Sequence, residues 1–219
     1  MWDVEMIKTI TIGIFETLYM TLFSTLLAYM IGLPLGIALV VTEKGNLLPS
    51  KWLNSILNVI VNITRSVPFL ILLIFIQPFT RWVVGTTIGS TATVVPLVVA
   101  AAPFIGRMVE SSIKELDHGI IEAALSMGAT PFQIIWKVML PETKPSLWIG
   151  ASITATTILG YSAMAGFTSG GGLGDVAIRY GVHRYQTEVM LVTVILLIII
   201  VQCIQGIGMK IAKKQDKRK

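Results

Sequence analysis

The chain has 219 residues, 54% hydrophobic and 13% charged, with a net charge of +5. A soluble domain of this size carries about 25% charged residues, so an ordinary water-soluble fold is excluded. Cys203 is the only cysteine; it rules out an intrachain disulfide and, inside an apolar run, reads as packing.

The charges are segregated, and the gaps between them define the elements. No charge occurs from Thr17 to Thr42, so a first helical span is expected at about 14–42. The chain opens on Asp3 and Glu5 rather than on basic residues, and the apolar run is too long for a cleaved leader, so this span reads as retained. Glu16 lies at its outer start as an interfacial residue, and Gly32-Leu33-Pro34-Leu35-Gly36 predicts a kink inside it. The second span, at 54–80, holds a single charge, Arg65. A charge within a span either finds a partner or snorkels to the border, and both readings of Arg65 stay open. The third span, at 88–109, contains Pro96 and Pro103, which free backbone carbonyls and bend helices. The fourth, at 146–166, is rich in Gly, Ala and Ser, and the fifth covers 187–209. About 20 apolar helical residues cross a bilayer, so each run is long enough. The expectation is an all-α, polytopic membrane protein, one domain over 1–219 with five spans.

The loops after spans one and three, with the tail, hold twelve basic residues, including Lys217, Arg218 and Lys219; the other side holds four. The positive-inside rule places the N-terminus outside and the C-terminus in the cytoplasm. The basic tail reads as an anchor against anionic lipid. Basic residues at membrane borders rather than on one folded face speak against nucleic acid.

Segment 115–141 then lies in the cytoplasm and reads as two short helices joined by a tight turn. Asp117 caps the first, and Gly128 suits its left-handed end. Thr130 caps the second, with Pro131 at its first position and Gln133 completing a capping box. Phe132, Ile135, Trp136 and Met139 recur at helical spacing as one apolar face, and Pro141 is expected to end the pattern. These features suit an interfacial helix pair on the membrane as well as a docking element.

The spacing separates the two. Glu122-Ala123-Ala124, three residues, Gly128, nine residues, then Val138-x-Leu140-Pro141 resembles the EAA loop of ABC importer permeases, with Val138 where that pattern has isoleucine. Arg65-Ser66-Val67-Pro68-Phe69 resembles a segment of amino-acid permeases, and "GYSAMAG" (160–166), "GGGLGD" (170–175) and "RYGVHRY" (179–185) resemble the methionine-importer branch. The likeness covers nearly the whole chain.

The resemblance implies a type I importer permease fold, working as a homodimer in the bacterial cytoplasmic membrane. It implies that Glu122, Ala123, Ala124, Met127, Gly128, Ala129, Thr130 and Pro131 form a coupling element docked on a separate ATPase dimer. The face at Phe132, Ile135 and Trp136 would anchor this element beneath its own spans. The outer loop 167–186, with Tyr180, Arg184 and Tyr185, would meet a methionine-binding lipoprotein. Tyr161, Ser162, Met164 and Arg65 are the candidates to line the pathway. No G-x-x-x-x-G-K-[ST] phosphate loop occurs in the chain, so ATP and magnesium belong to the partner ATPase and this chain carries no cofactor and no catalytic residue. The GGGLGD stretch reads as a flexible glycine-rich turn. A secondary transporter or channel would call for acidic residues within the spans, which offer only Arg65. An embedded enzyme would call for a nucleophile, acid pair or metal cluster, and His118 and His183 lie too far apart in sequence for metal spacing.

Overall fold

The computed structural model describes residues 4–215. Asp3 and the tail residues Lys217, Arg218 and Lys219 lie outside the described residues. Every regular element among the described residues is helical.

The first helix, α1 (Val4–Val41), runs without a break through Pro34. Its two flanking glycines act by packing. An added Cβ on Gly32 would lie 2.6 Å from the Ile105 Cβ and 2.7 Å from the Ala102 carbonyl oxygen. One on Gly36 would lie 2.5 Å from the Val109 Cβ. These neighbours belong to α5 (Ser90–Lys114), so two small residues one turn apart let the α1 and α5 backbones approach closely. Leu97, Ile105 and Val109 of α5 and Met20 and Ala28 of α1 are fully buried at this seam, the centre of the core. Gly36→Leu is therefore expected to overpack the seam by about 1–3 kcal/mol or more. The protein should be lost from the monodisperse fraction on detergent gel filtration. Gly206→Leu, at a glycine with nothing within 4 Å, should elute as the wild type.

The second expected span is not one helix. α2 (Lys51–Ser66) stops at Val67, and α3 (Phe69–Phe75) leaves at 101° to it. Pro68 disfavours helical backbone at Val67, which is extended at φ −83°, ψ 124°, and it brings no N–H to the ladder. After Ile76 comes α4 (Gln77–Val84), closed by left-handed Gly85. Among the described residues four helices are thus long and apolar enough to cross a membrane, or five when the bent pair counts as one span.

After α5, α6 (His118–Ser126) and α7 (Pro131–Ile134) form a hairpin. Pro141 does not end the second arm. Residues Ile135–Met139 form a π-helical turn that passes directly into α8 (Leu140–Met164), and helix continues from Pro131 to Thr168. Pro141 sits at the start of α8, and the widened turn before it shifts the hydrogen-bond partners, so the missing N–H falls where the regular ladder is already interrupted.

Segment 165–182 is not the flexible turn expected around GGGLGD. A 3₁₀ turn (Ala165–Thr168), α9 (Gly172–Val176) and a π-helical turn (Ala177–Val182) fold back into the helices, and Leu173 is fully buried. The glycines are there for close approach: a Cβ on Gly174 would lie 2.4 Å from the Ala163 carbonyl oxygen, and one on Gly166 2.5 Å from the Gly174 carbonyl carbon. Glu16 is likewise more than an interfacial residue. Its carboxylate accepts from the Gly172 N–H at 2.7 Å, and the Thr17 hydroxyl accepts from the Leu173 N–H at 2.8 Å. Two backbone donors at the start of this segment are thus satisfied from α1. Burial raises the Asp175 carboxyl above the ordinary aspartate range; Arg179, its ion-pair partner, opposes the rise and Glu16 adds to it.

The last helix, α10 (Thr187–Gln215), packs on α8 where Gly208 meets the Ser152 side chain. Much of its surface is apolar and exposed, including Leu191, Ile195 and Ile199. Cys203, expected to be packed, is exposed on it.

Candidate coupling hairpin and pathway helix

The hairpin is built from local signals that agree with one another. The Asp117 carboxylate accepts from the Gly119 N–H at 2.8 Å and caps α6. At the other end the Ala129 N–H donates to the Ala124 carbonyl and the Gly128 N–H to the Leu125 carbonyl. Those two bonds make a Schellman motif around Gly128, which holds φ +78°. α7 then opens with a reciprocal box: Thr130 accepts from the Gln133 N–H while the Gln133 side chain accepts from the Thr130 N–H at 2.9 Å.

The expected coupling residues do not all face the same way. Glu122, Ala123, Met127, Gly128 and Thr130 are exposed, Met127 at 81%. Ala124 turns inward to the core with Ile121 and Ala129, and Pro131 is half-buried. The anchor also differs from expectation. Ile134 and Met139, fully buried, hold the second arm to the bundle, assisted by Ile135 and Val138. Phe132 and Trp136 lie on the outer side, exposed, with their rings 6.0 Å apart. A period of 3.6 residues allowed either face, and the burial of Ile134 and Met139 against the bundle decides between them. The hairpin thus presents an uncovered surface of Glu122, Leu125, Met127, Phe132 and Trp136. Among the described residues Glu122 has no ion-pair partner.

The pathway candidates divide as well. Tyr161 stacks flat on Phe69, centroids 4.5 Å apart at 4°, which brings the segment after the Pro68 break against α8. Met164 is 47% exposed, at the end of an exposed α8 stripe with Ile149, Ile153 and Gly160, which follow one another by one or two helical turns. Ser162 points the other way: it is buried, and its hydroxyl donates to the Leu159 carbonyl at 2.8 Å. Arg65 is exposed in the last turn of α2 and has no ion-pair partner among the described residues. It is not a buried charge.

One group of residues was missed. Asn54, Asn58 and Asn62 repeat every four residues along α2. Arg107 of α5 donates to the Asn58 and Asn62 side-chain oxygens at 2.7 and 2.8 Å and pairs with Glu110 at 2.6 Å. Lys114 links Glu110 to Glu43, at 2.9 Å to each, so this polar ladder ties α2, α5 and the end of α1 together. The asparagine period was a visible signal; its partner in α5 was not.

Residues 28–208 match the family of binding-protein-dependent transport system inner membrane components. The chain belongs to that family. It is a multi-pass inner-membrane permease of the ABC importer class and not an enzyme. The permease is 50% identical over 204 residues, 93% of its length and 91% of the relative's, to the probable D-methionine transport system permease protein of Vibrio cholerae. It is 48% identical over 204 residues, 93% of its length and 92% of the relative's, to the methionine import system permease protein of Bacillus subtilis. Its structure superposes with a TM-score of 0.97 and 46% identity, over 98% of this chain and 100% of the other, on a chain of an inward-facing MetNI methionine ABC transporter.

Proposed function

We propose that the permease carries methionine inward through the cytoplasmic membrane, as one of two copies flanking a shared pathway, with work supplied by a separate ATPase dimer that uses ATP and magnesium. The N-terminus faces outside and the C-terminus the cytoplasm, where the basic tail meets anionic lipid. A methionine-binding lipoprotein delivers the substrate to the outer face, near Tyr180, Arg184 and Tyr185. Arg184 lies 4.7 Å over the Tyr180 ring, and Tyr185 is 88% exposed. The relatives named for methionine transport support the substrate.

The observation that carries the reading is the unbroken helix from Pro131 to Thr168. Its cytoplasmic end forms one arm of the exposed hairpin, and its outer end bears Tyr161 and Met164. A partner that grips Glu122, Ala123, Met127 and the Gly128 turn moves that arm. Buried Ile134 and Met139 pass the displacement to the bundle rather than letting the hairpin bend alone. The α8 stripe ending at Met164 faces the second copy, where a thioether is a flexible, polarisable contact for an apolar side chain.

Reconstitution in liposomes tests this. The permease with a phosphate-loop ATPase and a binding protein should take up methionine only when ATP is enclosed, and the two subunits should co-purify in detergent. Uptake by the permease alone, or failure to retain any such ATPase, would overturn it.

A further inference from the structure

Beneath the outer end of the bundle a small polar cavity is walled by α4, α5 and the turn that ends the pathway helix. Thr80, Thr87, Ala92, Thr93, Pro96 and Thr168 line it. Thr80 is buried, with 3% of its surface exposed, and its hydroxyl has no hydrogen-bond partner among the described residues. Pro96 has no N–H to donate to the carbonyl four residues earlier, which is Ala92 in the same wall. A hydroxyl without a partner and a carbonyl that lacks its regular helical donor therefore border one cavity. The Thr93 hydroxyl is bonded to the Gly89 and Gly170 carbonyls, and the Thr168 hydroxyl donates to Ala165. Their oxygen lone pairs stay open to a further donor. The space open to a water's centre is about 10 Å³, close to the requirement for one molecule.

We propose that this cavity is a binding site for one resident water, which accepts from Thr80 and donates to the Ala92 carbonyl and a threonine oxygen. These partners are neutral oxygens, Gln77 adds a neutral amide to the lining, and no acidic side chain among the described residues lines it, so the site suits water over a cation. The water staples α4 to α5 beside the 165–170 turn, and so steadies the frame from which Met164 projects. The site does not depend on the substrate or on the ATPase.

Thermal unfolding of the whole permease in detergent tests it. Thr80→Val keeps the side-chain volume but strands the Ala92 carbonyl, so it should melt lower by roughly 3 °C. Thr80→Ser should melt like the wild type. In a Pro96→Ala background, which restores an N–H for Ala92, the Thr80→Val loss should shrink to roughly half or less. An unchanged or raised melting temperature for Thr80→Val would mean a dry cavity and would overturn the proposal, because removing an unmade donor is then neutral or favourable. Wild-type melting that rises with sodium or potassium chloride, but not with choline chloride, would overturn it in favour of a cation. Should Thr80→Val fail to accumulate, a high-resolution map of the wild type decides: density within hydrogen-bond reach of the Thr80 hydroxyl supports the water, and its absence refutes it.

Discussion

Gly128→Val should abolish ATP-driven methionine uptake while leaving normal amounts of folded protein in the membrane. Gly128 holds φ +78°, and a Cβ there would meet nothing within 4 Å. The penalty is therefore backbone strain alone, about 1–3 kcal/mol for a β-branched residue in this region. That is small against the stability of the whole bundle but large for a hairpin whose turn rests on two Schellman bonds. A shift of about 2 kcal/mol lowers the ratio of correctly bent to misbent hairpin roughly 30-fold, and uptake should be lost as the bent form ceases to dominate. Asparagine tolerates left-handed backbone better, so Gly128→Asn should keep a measurable fraction of transport. Gly45 provides the matched control. It holds φ +88° in the loop between α1 and α2, also with nothing within 4 Å of an added Cβ, so Gly45→Val carries similar strain outside the hairpin's own turn and should transport. If Gly128→Val transports normally, the hairpin does not transmit force.

Much of this hairpin was legible because its determinants are local. Asp117, Gly128, Thr130, Pro131 and Gln133 each act within a few residues, and each adopts the expected cap or turn. The charge gaps likewise locate the apolar helices, since a bilayer acts on composition over some 20 residues. What failed depended on backbone irregularity or on partners distant in sequence. Pro141 was expected to stop a helix, yet a π turn lets α8 continue through it. Phe132 and Trp136 share a helical period with Ile135, but only the docked bundle decides which flank is buried. The break at Pro68 was the opposite case: a span-length apolar run hid a bend of 101°, although proline and the residue before it carried the local signal. The bent pair places Phe69 against Tyr161, so the second span contributes a corner rather than a wall. The asparagine ladder on α2 fits the same view, since Arg107 fixes the half of that span below the corner to α5.

The Gly-rich segment after α8 departs furthest from what its composition suggests, and it carries the largest expected stability effect. Glycine there signals flexibility or close approach, and spacing alone cannot choose between them. The structure answers with contacts between backbones. Cβ atoms on Gly166 and Gly174 would each fall about 2.5 Å or less from main-chain atoms of the opposing strand of chain. Neither side can yield by rotating a side chain, since the clashing atoms belong to the backbone. Retreat would also strain the bonds that the Gly172 and Leu173 amides donate to Glu16 and Thr17. Gly174→Val should therefore cost at least about 3 kcal/mol, enough to deplete the folded permease from membranes, with Gly174→Ala losing a smaller part. Gly160, six residues before Gly166 on the same pathway helix, has nothing within 4 Å; Gly160→Ala should accumulate like the wild type. A Gly174→Val protein that accumulates and melts normally would mean that this segment is loose after all. The end of α8 that carries Met164 would then lack the rigid footing that the proposed lever requires.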